Sequence, residues 1–237
     1  MTNSYYRWLM LIGMVVSLFM WRHLSKKNSK LLPIFFGGLL GAATGAKLIY
    51  LFAEGWLDYG KEDMWLRWAT GKTILGALIG GYGGVEWAKH LVQYEKPTGD
   101  LFAKIVPVGV IVGRVGCLVE GCCLGVTCKQ STWWTYSDTQ GVLRWPAVPL
   151  EILFNIIAVC GTILLSRQQR LTGQHFHLYL IGYGLFRFIH EFWRATPNML
   201  AGLSGYQIVS LFLVIFALVR FRQRQAGINP RKAIPMR

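Results

Sequence analysis

Seven apolar stretches, separated by short basic segments, constrain this chain more than any other feature. A transmembrane helix needs about 20 mostly apolar residues. Stretches near that length run from Tyr5 to Trp21, Leu31 to Ala53, Lys72 to His90, Leu101 to Val119, Ala147 to Ser166, His175 to Trp193 and Gly205 to Arg220. Only 15% of the 237 residues are charged and 53% are hydrophobic, whereas soluble domains are about 25% charged. Too little polar surface remains to clothe a soluble globule. The expected fold is an all-α integral membrane protein of about seven transmembrane helices, forming one domain over residues 1–237.

The segments between the stretches set the orientation. Arg22, Lys26, Lys27 and Lys30 follow the first stretch, Arg167 and Arg170 the fifth, and Arg220, Arg222 and Arg224 the seventh. Cytoplasmic loops of membrane proteins carry the excess of Lys and Arg, so the N-terminus is expected outside and the C-terminus in the cytoplasm. A formal net charge of +14 also suits nucleic acid, since clustered cations neutralise phosphates. Here the cations follow the topology instead, and no nucleic-acid partner is expected. The first stretch lacks a small-residue cleavage site and runs into a basic loop, so it reads as a retained helix. The longest outer loop, about residues 120–146, holds Trp133, Trp134 and Trp145. Tryptophan favours the membrane–water interface, and a small external cap on the membrane surface is expected there.

Two glycine ladders stand out. Gly37, Gly41 and Gly45 recur at steps of four in the second stretch, and Gly76, Gly80 and Gly84 in the third. Small residues on one face let helices approach closely in lipid. Close packing, rather than ligand binding, is the expected role.

Charges within a span are costly and face the protein interior or a wet cavity. Arg114 lies late in the fourth stretch, and Arg187 lies mid-way along the sixth with Glu191 and Arg194 at i+4 and i+7. Those offsets put the three on one helical face. One reading is a self-satisfied ion pair between Arg187 and Glu191. The other is a pocket for an anionic head group, because arginine presents a planar fork to phosphate oxygens. One glutamate does not neutralise three arginines, and Glu120 and Glu151 are the further candidates to help. The surplus favours the phosphate pocket.

The cysteines Cys117, Cys122, Cys123 and Cys128 fall within twelve residues. Zinc sites show Cys-x2–4-Cys pairs with a second matched pair or histidines, and this spacing does not match. Small apolar packing residues are expected, with no metal and no cofactor. A nucleophilic cysteine is the other reading, although nothing beside it in sequence lowers its pKa. Gly71-Lys72-Thr73 is not a phosphate-binding loop, because the upstream glycine and strand are missing.

The segments Gly113-Arg114-Val115-Gly116 through Gly125, Arg144-Trp145-Pro146 with Leu150-Glu151, Gly182-Tyr183-Gly184 through Arg194, and Tyr206-Gln207 keep the order and character of a known signature. In them the chain resembles the bacterial prolipoprotein diacylglyceryl transferases, from about residue 40 to 215. The resemblance implies a multi-pass protein of the bacterial inner membrane. It implies transfer of the diacylglyceryl group of phosphatidylglycerol to the thiol of a lipobox cysteine, with glycerol phosphate leaving. The implied partners are an anionic phospholipid, the signal-peptide region of a prolipoprotein and the membrane itself. By carry-over, Arg114 grips the lipid phosphate and Arg187 steadies the departing phosphate or incoming thiolate. Glu191 and Arg194 orient that pair, and Glu151 belongs to the same binding set.

The chain departs from the family at several positions. Leu75 stands where a histidine is expected early in the third span, Lys47 where an arginine is expected, and Trp145 where a histidine precedes proline. Cys117 and Glu120 replace asparagines after the arginine signature. With Leu75 unable to act as a base, Glu120 is the candidate acceptor for the thiol proton, and Lys72 the candidate for lowering the thiol pKa electrostatically. The competing readings are a non-catalytic phospholipid-binding protein or assembly partner, and more remotely a transporter. Transporters show repeated halves, and the sequence has none.

Overall fold

The computed structural model describes residues 28–138 and 140–227, with isolated positions 11, 15, 18, 19 and 22 before them. The expected span from Tyr5 to Trp21 falls almost wholly outside the described residues, as does the tail beyond residue 227. Among the described residues the chain is predominantly helical. The helices are α1 (Leu31–Ala53), α2 (Met64–Thr70), α3 (Ile74–Leu91), α4 (Gly99–Glu120), α5 (Ala147–Arg167), α6 (His175–His190) and α7 (Gly205–Gln225). Two short antiparallel hairpins join them: β1 (Tyr136–Ser137) with β2 (Leu143–Arg144), and β3 (Asn198–Leu200) with β4 (Leu203–Ser204).

Four helices, α1, α4, α5 and α7, are long and apolar enough to cross a membrane. Their outward sides carry large apolar residues such as Leu40, Leu48, Ile157 and Phe212, all exposed. Helices with apolar faces this large belong in lipid, where the backbone is satisfied internally and the side chains meet hydrocarbon. The protein is a helical membrane protein.

The expected sixth span runs to Trp193, but α6 stops at His190 and tightens into a 3-10 turn over Glu191–Trp193. The cause is local. Arg194 is extended and forms a β-bridge with Gly125, so the chain leaves the helix to pair with the loop after α4.

The chain divides into two compact units. One holds Thr98–Tyr179 and Ile189–Thr196, with positions 11, 15, 18 and 19; the other holds position 22, residues 28–97, Leu180–Phe188, and the described residues from Pro197 onward. α6 threads both.

In the second unit the glycine ladders meet each other. A Cβ placed on Gly41 would collide with the Gly80 carbonyl oxygen and lie 2.9 Å from the Gly84 Cα, and one on Gly80 would lie 2.8 Å from the Gly45 Cα. The pairing Gly37–Gly84, Gly41–Gly80, Gly45–Gly76 makes α1 and α3 antiparallel. Beyond this seam, Lys47 donates to the backbone carbonyls of Trp68 and Gly71, a cation at the C-terminal end of α2 where the helix dipole favours it. Asp58 ties the same turn together, accepting from Tyr50 Oη at 2.9 Å and Lys61 Nζ at 3.0 Å. α7 opens on a capping box: Ser204 Oγ accepts from the Gln207 backbone N–H at 3.2 Å, and Gln207 Oε1 accepts from the Ser204 N–H at 2.8 Å. Such a box satisfies two orphan donors at once.

In the first unit α4 packs on α5, with Pro107 fully buried inside α4. Asp100, in the first turn of α4, accepts from the backbone N–H groups of Gly173 at 2.6 Å and His175 at 3.2 Å. This fastens the N-terminus of α6 to the start of α4.

Candidate functional site

Polar residues converge in the first unit where apolar ones would be the cheaper choice. Arg114, one turn and a half before the end of α4, meets Glu151, in the first turns of α5, at 2.9 Å through Nη2. Glu151 is 0% and Arg114 7% exposed. The acid does not stand alone in α5. Asn155, one turn on, donates to the Glu151 backbone carbonyl at 2.8 Å and accepts from Tyr179 Oη at 2.9 Å. The ion pair therefore sits on a buried polar ladder that fixes both helices around it.

The second pair lies in the 3-10 turn after α6. Glu191 Oε2 stands 3.6 Å from Arg194 Nε, and Glu191 Oε1 accepts from Thr196 Oγ1 at 2.7 Å. The Arg194 side chain is 9% exposed, and its buried Nη1 has no hydrogen-bond partner among the described residues. The surplus of arginine expected from sequence is smaller here: each of these two arginines has a carboxylate beside it.

A β-layered loop holds this turn in place. Val126 N–H donates to the Trp193 carbonyl at 3.0 Å, and Trp145 N–H donates to the Val126 carbonyl at 3.0 Å. The loop after α4 is thus clamped between the segment before α5 and the segment after α6. The Trp145 and Trp193 rings stack across it, 5.5 Å apart and 20° from parallel. Gly125 allows the approach, since a Cβ there would run into the Trp145 carbonyl. Arg144 Nε bonds Asp138 Oδ2 at 2.7 Å. That bond, followed by the Val142 backbone N–H, holds the Asp138 carboxyl below the usual carboxylate range. The segment expected to form a cap holds this hairpin and the exposed Trp133 and Trp134, whose rings meet edge to face.

Three sulfurs gather at the same end. The Sγ atoms of Cys117, Cys122 and Cys123 all lie within 4.8 Å of one another. Arg114 Nη1 is 3.8 Å from Cys117 Sγ. Hydrogen bonding among the thiols, with Arg114 and Arg194 near Cys123, lowers the pKa of the Cys123 thiol and raises that of Cys122.

The remaining sequence candidates fall as follows. Glu120 is the exposed last residue of α4, and Lys72 is exposed just before α3. Arg187 belongs to the second unit, where it is buried and its guanidinium lies 5.8 Å from the centre of the Tyr206 ring. Leu75 is 0% exposed, a core residue of α3. Sequence reasoning missed Asn155, Tyr179 and Thr196 as supports. Asn155 carried a signal, a polar residue one helical turn from Glu151 in an otherwise apolar stretch.

A family model described as prolipoprotein diacylglyceryl transferase matches residues 2–222. Among curated proteins, the chain is 28% identical to a phosphatidylglycerol–prolipoprotein diacylglyceryl transferase of Dehalococcoides mccartyi, over 93% of this chain and 89% of that one. It is 28% identical to the protein of that name from Clostridium tetani, over 79% and 80%. The one from Neisseria meningitidis serogroup B is 29% identical, over 78% and 76%.

Proposed function

The chain belongs to the prolipoprotein diacylglyceryl transferase family, and on that premise we propose that it moves the diacylglyceryl group of phosphatidylglycerol onto the lipobox cysteine of a prolipoprotein. The acceptor thiolate attacks the glyceryl carbon that bears the phosphate. A C–S bond forms, the C–O bond breaks, and glycerol phosphate leaves with the bonding pair. Because the leaving group is anionic, fixed donors aimed at it in a dry site lower the barrier.

In this reading Arg114, Arg194, Lys72 and Glu151 serve the lipid head group, Arg187 and Glu191 act at the reacting phosphate and thiol, and Glu120 takes the thiol proton. One observation carries the reading furthest. The Arg194 side chain is largely shielded and lies beside Glu191, which Thr196 anchors in turn, and it keeps a guanidinium N–H without a partner among the described residues. A pre-oriented arginine with a donor to spare suits a phosphate oxygen. The same proposal includes seven spans with an external N-terminus and a cytoplasmic C-terminus. It also includes one transmembrane domain with a cap over residues 120–146, placed as a multi-pass protein in the bacterial inner membrane.

Leu75, buried where the family carries a histidine, favours the second reading, a phospholipid-binding protein that does not turn over. Transfer of a radiolabelled diacylglyceryl group from phosphatidylglycerol to a lipobox peptide decides between them. Thioether product from wild type, lost in Arg187→Ala and Arg194→Ala, supports the transferase. Lipid binding by well-folded wild type with no product overturns it.

A further inference from the structure

We propose that Cys117, Cys122 and Cys123 form a three-thiolate site for a divalent thiophilic cation of the zinc class, with the fourth coordination position open to the acceptor cysteine. The inference rests on the transferase reading for its fourth ligand, and on the geometry alone for the other three.

The sequence spacing argued against a metal because it offers no second matched pair of cysteines or histidines. The fold removes that objection. Gly121 ends α4 in the left-handed region at φ 67°, and Cys123 adopts it again at φ 60°. These two turns fold the chain back over the helix end, where the Cys122 N–H bonds the Cys117 carbonyl at 3.1 Å. A left-handed conformation is natural for glycine and uncommon for a residue with a Cβ. At Cys123 it brings a third sulfur to the two that the helix end supplies, and such backbone outliers cluster at ligand clamps.

The sulfurs lie within 4.8 Å of one another. A Zn–S bond is about 2.3 Å, so a tetrahedral site needs S···S separations of about 3.8 Å. Cys122 is exposed and the other two are half-buried, so the sulfurs are accessible from outside the protein. Three protein ligands with a vacant fourth position are the arrangement of a catalytic rather than a structural zinc. Three thiolates on a divalent cation carry a net negative charge, and Arg114 lies against Cys117 to offset it.

Such a site answers the chemistry. An acceptor thiol entering the fourth position binds as thiolate and gives its proton to water, since metal binding deprotonates a coordinating thiol. The sulfur then attacks the glyceryl carbon, the C–O bond to phosphate breaks, and the thioether product, a weaker ligand, leaves the metal. No oxidant or reductant is required. A chain with Leu75 in place of a basic histidine gains a route to the thiolate that needs no base at that position.

Cobalt(II) titration of the full-length protein in detergent tests this, because tetrahedral cobalt thiolates have intense visible and near-ultraviolet bands. Wild type, Cys128→Ser and Cys160→Ser should each bind one cobalt per chain. The single serine variants at 117, 122 and 123 should lose at least ten-fold in affinity, with thermal melts reporting that each remains folded. Adding a lipobox peptide should shift the visible bands, and a peptide with serine for cysteine should not. Absence of stoichiometric cobalt from folded wild type overturns the site. Binding that ignores the cysteine peptide overturns the open position. Arg187→Ala separates the two readings: if the transferase proposal fails, its cobalt spectrum still stands or falls on the thiols alone.

Discussion

Arg114 and Glu151 form an ion pair at 2.9 Å between two apolar helices, and both side chains are closed to solvent. Removing one partner of a buried pair leaves an uncompensated charge, which costs about 3–5 kcal/mol, whereas replacing both with apolar residues is often neutral. Glu151→Leu should therefore lower the thermal midpoint in detergent sharply. Arg114→Met combined with Glu151→Leu should recover most of it while leaving no transfer to the lipobox peptide. Equal melting of single and double variants would show that the pair carries no such coupling.

Thr196 Oγ1 donates to Glu191 Oε1 at 2.7 Å and holds that carboxylate in place. Losing a hydrogen bond to a charged acceptor costs about 1.5–3 kcal/mol, and Thr196→Val should free the glutamate from its orientation. The expected result is a fall of about ten-fold or more in kcat with little change in KM for lipid. Arg194→Lys, which keeps the charge but not the fork, should instead raise KM for phosphatidylglycerol.

Gly80 and Gly83 sit one turn apart on α3 with opposite surroundings. A Cβ on Gly80 strikes the Gly41 carbonyl, while one on Gly83 finds nothing within 4 Å. Gly80→Leu should abolish folded protein in a fluorescence-detected size-exclusion assay. Gly83→Ala should be neutral or stabilising by up to about 1 kcal/mol, the helix-propensity gain over glycine.

Asp138 gives the β1–β2 hairpin a dependence on pH. Its carboxyl is held below its ordinary value by Arg144 and the Val142 N–H. A depressed carboxylate contributes stability that is present in full above the unfolded-state pKa and lost as pH falls through the lowered folded value. Limited proteolysis within residues 121–146 should accelerate only below the ordinary aspartate range. Asp138→Asn should be cleaved readily at neutral pH and respond far less to acid.

How far the sequence could be read depended on whether a feature was local. The α1 boundaries, Leu31 to Ala53, follow from apolar length alone. The glycine seam follows from steps of four, and the opening of α7 at Gly205 follows from the start of the seventh apolar stretch. Pairings across the chain had no such signal. That Glu151 answers Arg114 depends on how α4 and α5 cross, and nothing in either helix specifies the other's register. The cysteines show the same limit. Their spacing matches no zinc pattern, and only two left-handed residues, one of them not a glycine, close the turn that gathers three of the sulfurs. The early end of α6 was hidden too, because the periodicity from His175 continues to Trp193 while the bridge to Gly125 is non-local.

The seam between α1 and α3 bears on how this lineage can change. In an ordinary core, an enlarged side chain is accommodated by a smaller one opposite, and the two substitutions can follow one another without loss of packing. Along Gly37–Gly84, Gly41–Gly80 and Gly45–Gly76 no smaller residue exists to answer with, because the obstacle facing each Cβ is largely the other helix's backbone. Substitution there has no compensating second step, so these six positions are closed to gradual drift while the lipid-facing sides of the same helices stay free to vary.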